Sequence, residues 1–189
     1  MPHRLPLRLA ALVAALPSLL NASTAADLCS LVADPCVVNG PVVIAPGSIL
    51  DFGPRALRLL PNANLTFAGG SIAINAGSLT MLPGATLAGG SPVAGGNLVV
   101  RTTGPIELQS AGASKARIDV SSDGTAGLID LASAGGSIRL DGDLTAHGDG
   151  LAGTGGTITL RAPGNITINQ GELSVASGDQ GVGGEITIL

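Results

Sequence analysis

Three aspartates and one histidine crowd into the stretch Asp141-Gly-Asp143…His147-Gly-Asp149, the densest group of titratable side chains in the chain. Paired carboxylates can serve as acid and base on either side of a glycosidic bond, or can ligate calcium in support of lyase chemistry. A histidine beside an aspartate is the base half of a nucleophile-activating relay. Asp and Gly also alternate in turns for purely backbone reasons. Asp141, Asp143 and Asp149 are therefore read first as solvated turn residues and second as a calcium or glycan contact, and His147 is read as an exposed loop residue. No Gly-x-Ser-x-Gly elbow and no phosphate-binding loop accompanies them, so no catalytic residue is assigned.

The other reactive side chains are Cys29 and Cys36, the only cysteines present. Two thiols that close so short a ring are expected to form a disulfide in an exported chain, worth roughly 2.5 kcal/mol by loop entropy. A lipid-modified cysteine calls for a small residue before it, and Leu28 stands there. A metal site needs further soft ligands, which are absent, so no metal and no cofactor is expected.

Export is inferred from the N-terminus. Arg4 and Arg8 precede the apolar run Leu9–Leu20, and the small residues Ser23-Thr24-Ala25-Ala26 follow it. This is the layout of a secretory signal peptide over 1–26, cleaved after Ala25 or Ala26. The run is interrupted by Pro17 and is too short to span ~30 Å of hydrocarbon, and no later stretch reads as a transmembrane helix. Beyond residue 26 the chain keeps 7 basic residues against 13 acidic ones, which argues against nucleic acid as a partner.

The elements that must position these groups are legible from composition and period. The chain is 45% hydrophobic but 1% aromatic, with 29 glycines in 189 residues, so its core must be built from small aliphatic side chains joined by many tight turns. The strings Gly96-Asn-Leu-Val-Val100, Gly127-Leu-Ile-Asp-Leu131, Gly156-Thr-Ile-Thr-Leu160 and Gly184-Glu-Ile-Thr-Ile188 recur with glycines 31, 29 and 28 residues apart. Each unit holds two further alternating stretches, such as Ile138/Leu140 and Leu144/Ala146, and upstream the same alternation runs in coils of about 22 residues. A fixed period with one repeated unit predicts a solenoid. The expected fold is all-β, a right-handed single-stranded parallel β-helix with three short strands per coil and about five to six coils over 41–189. A cap over 27–40, held by the disulfide, precedes it.

The Gly-Gly-x-Ile-x-Leu…Gly-x-Ile-x-Ile…Leu-x-Val-x-Ser-Gly cadence of Gly155–Gly178 resembles the repeats of bacterial secreted β-helix proteins of the filamentous-haemagglutinin and autotransporter-passenger kind. The resemblance covers about Val37–Leu189. It implies a secreted or surface-exposed adhesive stalk, and members of that group are usually much longer.

Stacking the repeats sets the outer ladders. First strands align Val99, Asp130, Thr159 and Thr187, second strands align Glu107, Arg139 and Thr167, and third strands align Asp119, Thr145 and Ser174. The chain stops within a repeat at Glu185-Ile186-Thr187-Ile188-Leu189, which reads as an assembly edge for further coils or for end-to-end self-association. The expectation is a secreted or cell-surface structural or adhesive module without catalytic activity, whose partner is a host or matrix glycan or protein. The alternative is a carbohydrate-active β-helix that uses the turn carboxylates.

Overall fold

A computed structural model describes residues 20–189. The expected leader lies largely outside the described residues. The chain winds as a parallel β-solenoid of about five turns with three strands per turn. Sheet 1 stacks Ile49–Asp51, Ser71–Ala76, Asn97–Thr102, Leu128–Ser133, Thr157–Arg161 and Glu185–Ile188. Sheet 2 stacks Cys36–Val38, Ala56–Leu59, Ser78–Met81, Ile106–Leu108, Ile138–Leu140 and Ile166–Ile168. Sheet 3 stacks Leu20–Ala22, Pro41–Ile44, Asn64–Thr66, Thr86–Ala88, Arg117–Asp119, Asp143–Thr145 and Leu173–Ser174.

Period-two alternation turns one apolar set inward from all three sheets. The result is columns of like residues, such as Val42, Leu65, Leu87, Ile118 and Leu144 of sheet 3, each no more than 4% exposed. The two phenylalanines, Phe52 and Phe67, are both buried in this core. Their aliphatic neighbours stack in register because a coil displaced by one residue would send its whole apolar set to solvent.

The recurring glycines have a packing cause. A Cβ on Gly127 would overlap the carbonyl oxygen of Gly96, one on Gly156 that of Gly127, and one on Gly184 that of Gly156. The repeat glycine therefore marks where successive coils approach too closely for any side chain.

The N-terminal end is closed by more than the expected cap. Leu20–Ala22 pairs in parallel with Pro41–Ile44, and Ala22 and Ala25 are buried. A short 3-10 turn, Ala25–Asp27, follows that strand, so the expected cleavage point falls within it. The Asp27 carboxylate accepts hydrogen bonds from the Ser23 and Thr24 amides, both at 2.9 Å. The Cys29–Cys36 disulfide is formed, with Cys36 buried at the start of sheet 2. Arg55 then ties the 29–36 loop to the next coil, donating from Nη1 to the Ser30 carbonyl at 2.8 Å while its guanidinium lies 5.7 Å from the Phe52 ring centre.

One element was not foreseen. Ser110–Ala111 and Ser114–Lys115 form an antiparallel hairpin that projects between sheets 2 and 3 and lengthens its coil. Gly112 turns it at φ 61°.

Candidate functional site at the acidic turns

The solenoid distributes the aspartates of the 141–149 stretch among different surroundings. Asp141 closes the sheet 2 strand Ile138–Leu140, and Asp143 opens the sheet 3 strand Asp143–Thr145, so the intervening Gly142 turns a corner between them. The Asp141 Oδ2 atom accepts from Arg139 Nε at 2.9 Å, and Oδ1 accepts from the Asn169 amide at 3.0 Å. Asp143 Oδ1 lies 2.8 Å from Lys115 Nζ, carried by the hairpin, and accepts the Glu172 backbone N–H at 3.0 Å. Each carboxylate is thus neutralised by its own cation and by a donor from the next coil. Among the described residues, no three His, Cys, Asp or Glu side chains converge as metal ligands.

A polar cavity of about 220 Å³ opens beside Asp141, lined by Glu107, Leu108, Gln109, Ser110 and Arg139. Glu107 and Arg139 are register partners here, as the stacking predicts. The ladder Val99, Asp130, Thr159 and Thr187 also forms as expected. In that ladder Asp130 sits between two guanidinium groups, with Arg101 Nη2 at 2.6 Å and Arg161 Nη1 at 2.9 Å.

Asp149 occupies a third setting. It lies at the rim of a shallow cleft of about 350 Å³ lined by Gly90, Ser91, Pro92, Ser121, Ser122 and Asp123. Its Oδ1 atom is 3.7 Å from Nδ1 of His147. On the other side of the imidazole, Nε2 is 2.6 Å from Oγ of Ser174. Ser174 is the register partner of Thr145 in the next coil, and this stacking brings it onto the histidine. In the sequence His147 reads as an exposed loop residue beside Asp149. The signal that finds Ser174 is its separation from His147 by nearly one coil, together with the third-strand ladder in which it had been placed.

Along the same ladder Asp119 is partly buried. Desolvation alone would raise its pKa, but the Ser121 hydroxyl and amide and the Arg117 charge outweigh that effect and hold it below 3.8. The C-terminal residues Glu185–Ile188 form the last strand of sheet 1, where Ile186, Ile188 and Leu189 are exposed. Among the described residues no helix is long and apolar enough to cross a membrane. No protein-family model, curated protein or solved structure matches this chain.

Proposed function

We propose that this chain is an exported structural or adhesive module, a rod segment whose outer sheet faces present binding surface rather than a polysaccharide-cleaving site. The observation that carries this reading is the pairing of Asp141 and Asp143 with Arg139 and Lys115. A general acid needs a free path to the glycosidic oxygen, whereas Asp141 is engaged by Arg139 and the Asn169 amide and Asp143 by Lys115 and the Glu172 backbone N–H. Stacking of sugar rings on aromatic faces is also unsupported, since both phenylalanines are in the core and the chain has no Trp or Tyr. The short polar ladders of sheets 1 and 3 suit hydrogen bonding to a protein or glycan laid along the rod.

A second reading keeps one observation in its favour. The cavity beside Asp141 combines the Arg139 guanidinium, Gln109 and Ser110 with the Glu107 and Asp141 carboxylates, a mixed set of donors and acceptors that fits the hydroxyls of a sugar.

The test is to incubate the protein with neutral and acidic polysaccharides, following release of reducing ends and of unsaturated products, and to measure retention on immobilised glycans and matrix proteins. Retention without cleavage is expected. Cleavage that is lost on Asp143→Asn would overturn the reading. An immunoblot of culture medium and cell-surface fractions tests export, and a band confined to the cytoplasm would reject it.

A further inference from the structure

We propose that Ser174 is a nucleophile activated by His147, able to accept an acyl group from a small activated ester, with Asp149 as the residue that positions the imidazole. The three side chains stand in the order a relay requires: the hydroxyl is 2.6 Å from Nε2, and a carboxylate oxygen is 3.7 Å from Nδ1 on the far side of the ring. The first distance is already that of a formed hydrogen bond, and the second is of the length that such contacts show before a ligand closes them.

The scaffold beneath this corner is fixed by coil stacking. The His147 amide donates to Ser121 Oγ at 3.0 Å, its carbonyl accepts from the Ser122 amide at 2.9 Å, and the Gly148 amide donates to the Ala176 carbonyl at 3.0 Å. His147 is therefore held between the coil below and the coil that carries Ser174, and a group positioned by a sheet is placed more reproducibly than one on a free loop. The histidine side chain is 28% exposed, so substrate and solvent both reach it. Asp149 also lines a cleft of about 350 Å³ with Ser91, Ser121 and Asp123 of the preceding coils, on the side of His147 away from the coil that carries Ser174.

The step balances without a further reactant. Ser174 Oγ attacks the carbonyl carbon and forms a C–O bond while its proton passes to His147 Nε2. The ester C–O bond then breaks, and the departing alkoxide takes that proton. Water, deprotonated by the same Nε2 atom, then attacks the acyl carbon, and the C–Oγ bond breaks as Ser174 Oγ takes that proton back, releasing the acid. This reactivity lies outside the rod-like role proposed above and stands or falls independently of it.

The experiment is covalent labelling of the full chain with a fluorophosphonate, in which a P–O bond to serine forms as the P–F bond breaks and the serine proton is taken up by the base. One adduct per chain, located by peptide mass spectrometry on Ser174, is expected. His147→Gln should slow it by about 10²-fold or more, the usual contribution of a general base, and Ser174→Ala should abolish it. Asp149→Asn should slow it less, with recovery in Asp149→Glu, a rescue that a merely structural aspartate would not show. These residues are at the surface, and circular dichroism of each variant confirms that the fold is kept. Absence of an adduct in the natural chain, or labelling indifferent to His147→Gln, overturns the proposal.

Discussion

The coils before residue 90 and those after it use the same inward pattern, yet they are built differently. Between register partners in sheet 2 the early coils span 21 residues from Cys36 to Leu57 and 22 from Leu57 to Leu79, whereas later ones span 32 from Ile106 to Ile138 and 28 from Ile138 to Ile166. Glycine changes its task along the way. Gly47 and Gly53 sit at φ 83° and 60° with open space around them, and every positive-φ glycine among the described residues lies between Gly40 and Gly112. Gly127, Gly156 and Gly184 have no such backbone, and are glycines because a neighbouring coil occupies the place of their Cβ. Charge follows the same division, since the ion pairs of the described residues all fall between Arg101 and Arg161. Short coils rely chiefly on positive-φ turns, although Gly77 is already a packing glycine, its Cβ position taken by the Pro54 carbonyl. Long coils carry the ion pairs, on strand ladders such as Asp130 between Arg101 and Arg161 as well as at corners, and the serine–histidine contact between successive coils.

The sharpest way to break this comparison is to add one methyl group to glycines of the two kinds. Gly127→Ala drives a Cβ into the Gly96 carbonyl, a backbone atom that cannot rotate away. A loss of about 3 kcal/mol or more is expected, at the upper end of overpacking costs. Gly53→Ala meets no atom but must hold φ 60°, which costs about 1–2 kcal/mol. Gly183→Ala has open space and no positive φ, and should leave thermal unfolding unchanged. If the first and third variants unfold alike, close packing is not what the repeat glycine encodes.

An effect of about 2.5 kcal/mol, the loop-entropy value for so short a ring, is expected from reducing Cys29–Cys36 or replacing both cysteines by serine. A solenoid couples each coil mainly to its neighbours, so the loss should be local. Amide exchange should accelerate in the coils that contain Val38, Leu57 and Leu59, where Arg55 ties the loop down, and should stay slow around Leu131 and Leu160. Uniform acceleration across both regions would show that the coils unfold as one unit, and the contrast between them would lose its energetic meaning.

Much of this architecture was legible in the residues. Alternation placed Ile106/Leu108, Ile138/Leu140 and Ile158/Leu160 in the core, and the glycine period set the register of Asp130 with Thr159 and of Glu107 with Arg139. The hairpin at Ser110–Lys115 was not legible, because a four-residue pairing turned by Gly112 leaves no repeat to compare. Tight turns explain the positive-φ glycines up to Gly112, whereas beyond it the described glycines stand where neighbouring coils approach closely or in open space. The acidic group looked dense because sequence distance ignores corners: Asp141 and Asp143 are two residues apart but belong to different sheets. Ser174 went unpaired with His147 for the converse reason, since contact between coils joins residues that the chain separates.

The smallest expected effect tests where acid sensitivity resides. Asp119 stands in a sheet 3 ladder whose earlier members are Thr66 and Ala88, so the early coils carry no titrating group at that position. Partial burial pushes its pKa up, but the hydrogen bonds of Ser121 and the Arg117 guanidinium, at 3.1 Å, hold it below the ordinary 3.8. A carboxyl whose folded pKa is depressed contributes stability that is present above its unfolded pKa and lost as pH falls through the folded value. Urea unfolding of the natural chain and of Asp119→Asn should therefore differ at neutral pH, with the gap narrowing below about pH 4. The narrowing should appear in the exchange of amides around Ile118 and Leu144 and not around Leu65, which occupies the same column where the ladder is uncharged. A gap that persists unchanged into acid would mean that Asp119 acts through shape alone, and the later coils would then be distinguished by length rather than by charge.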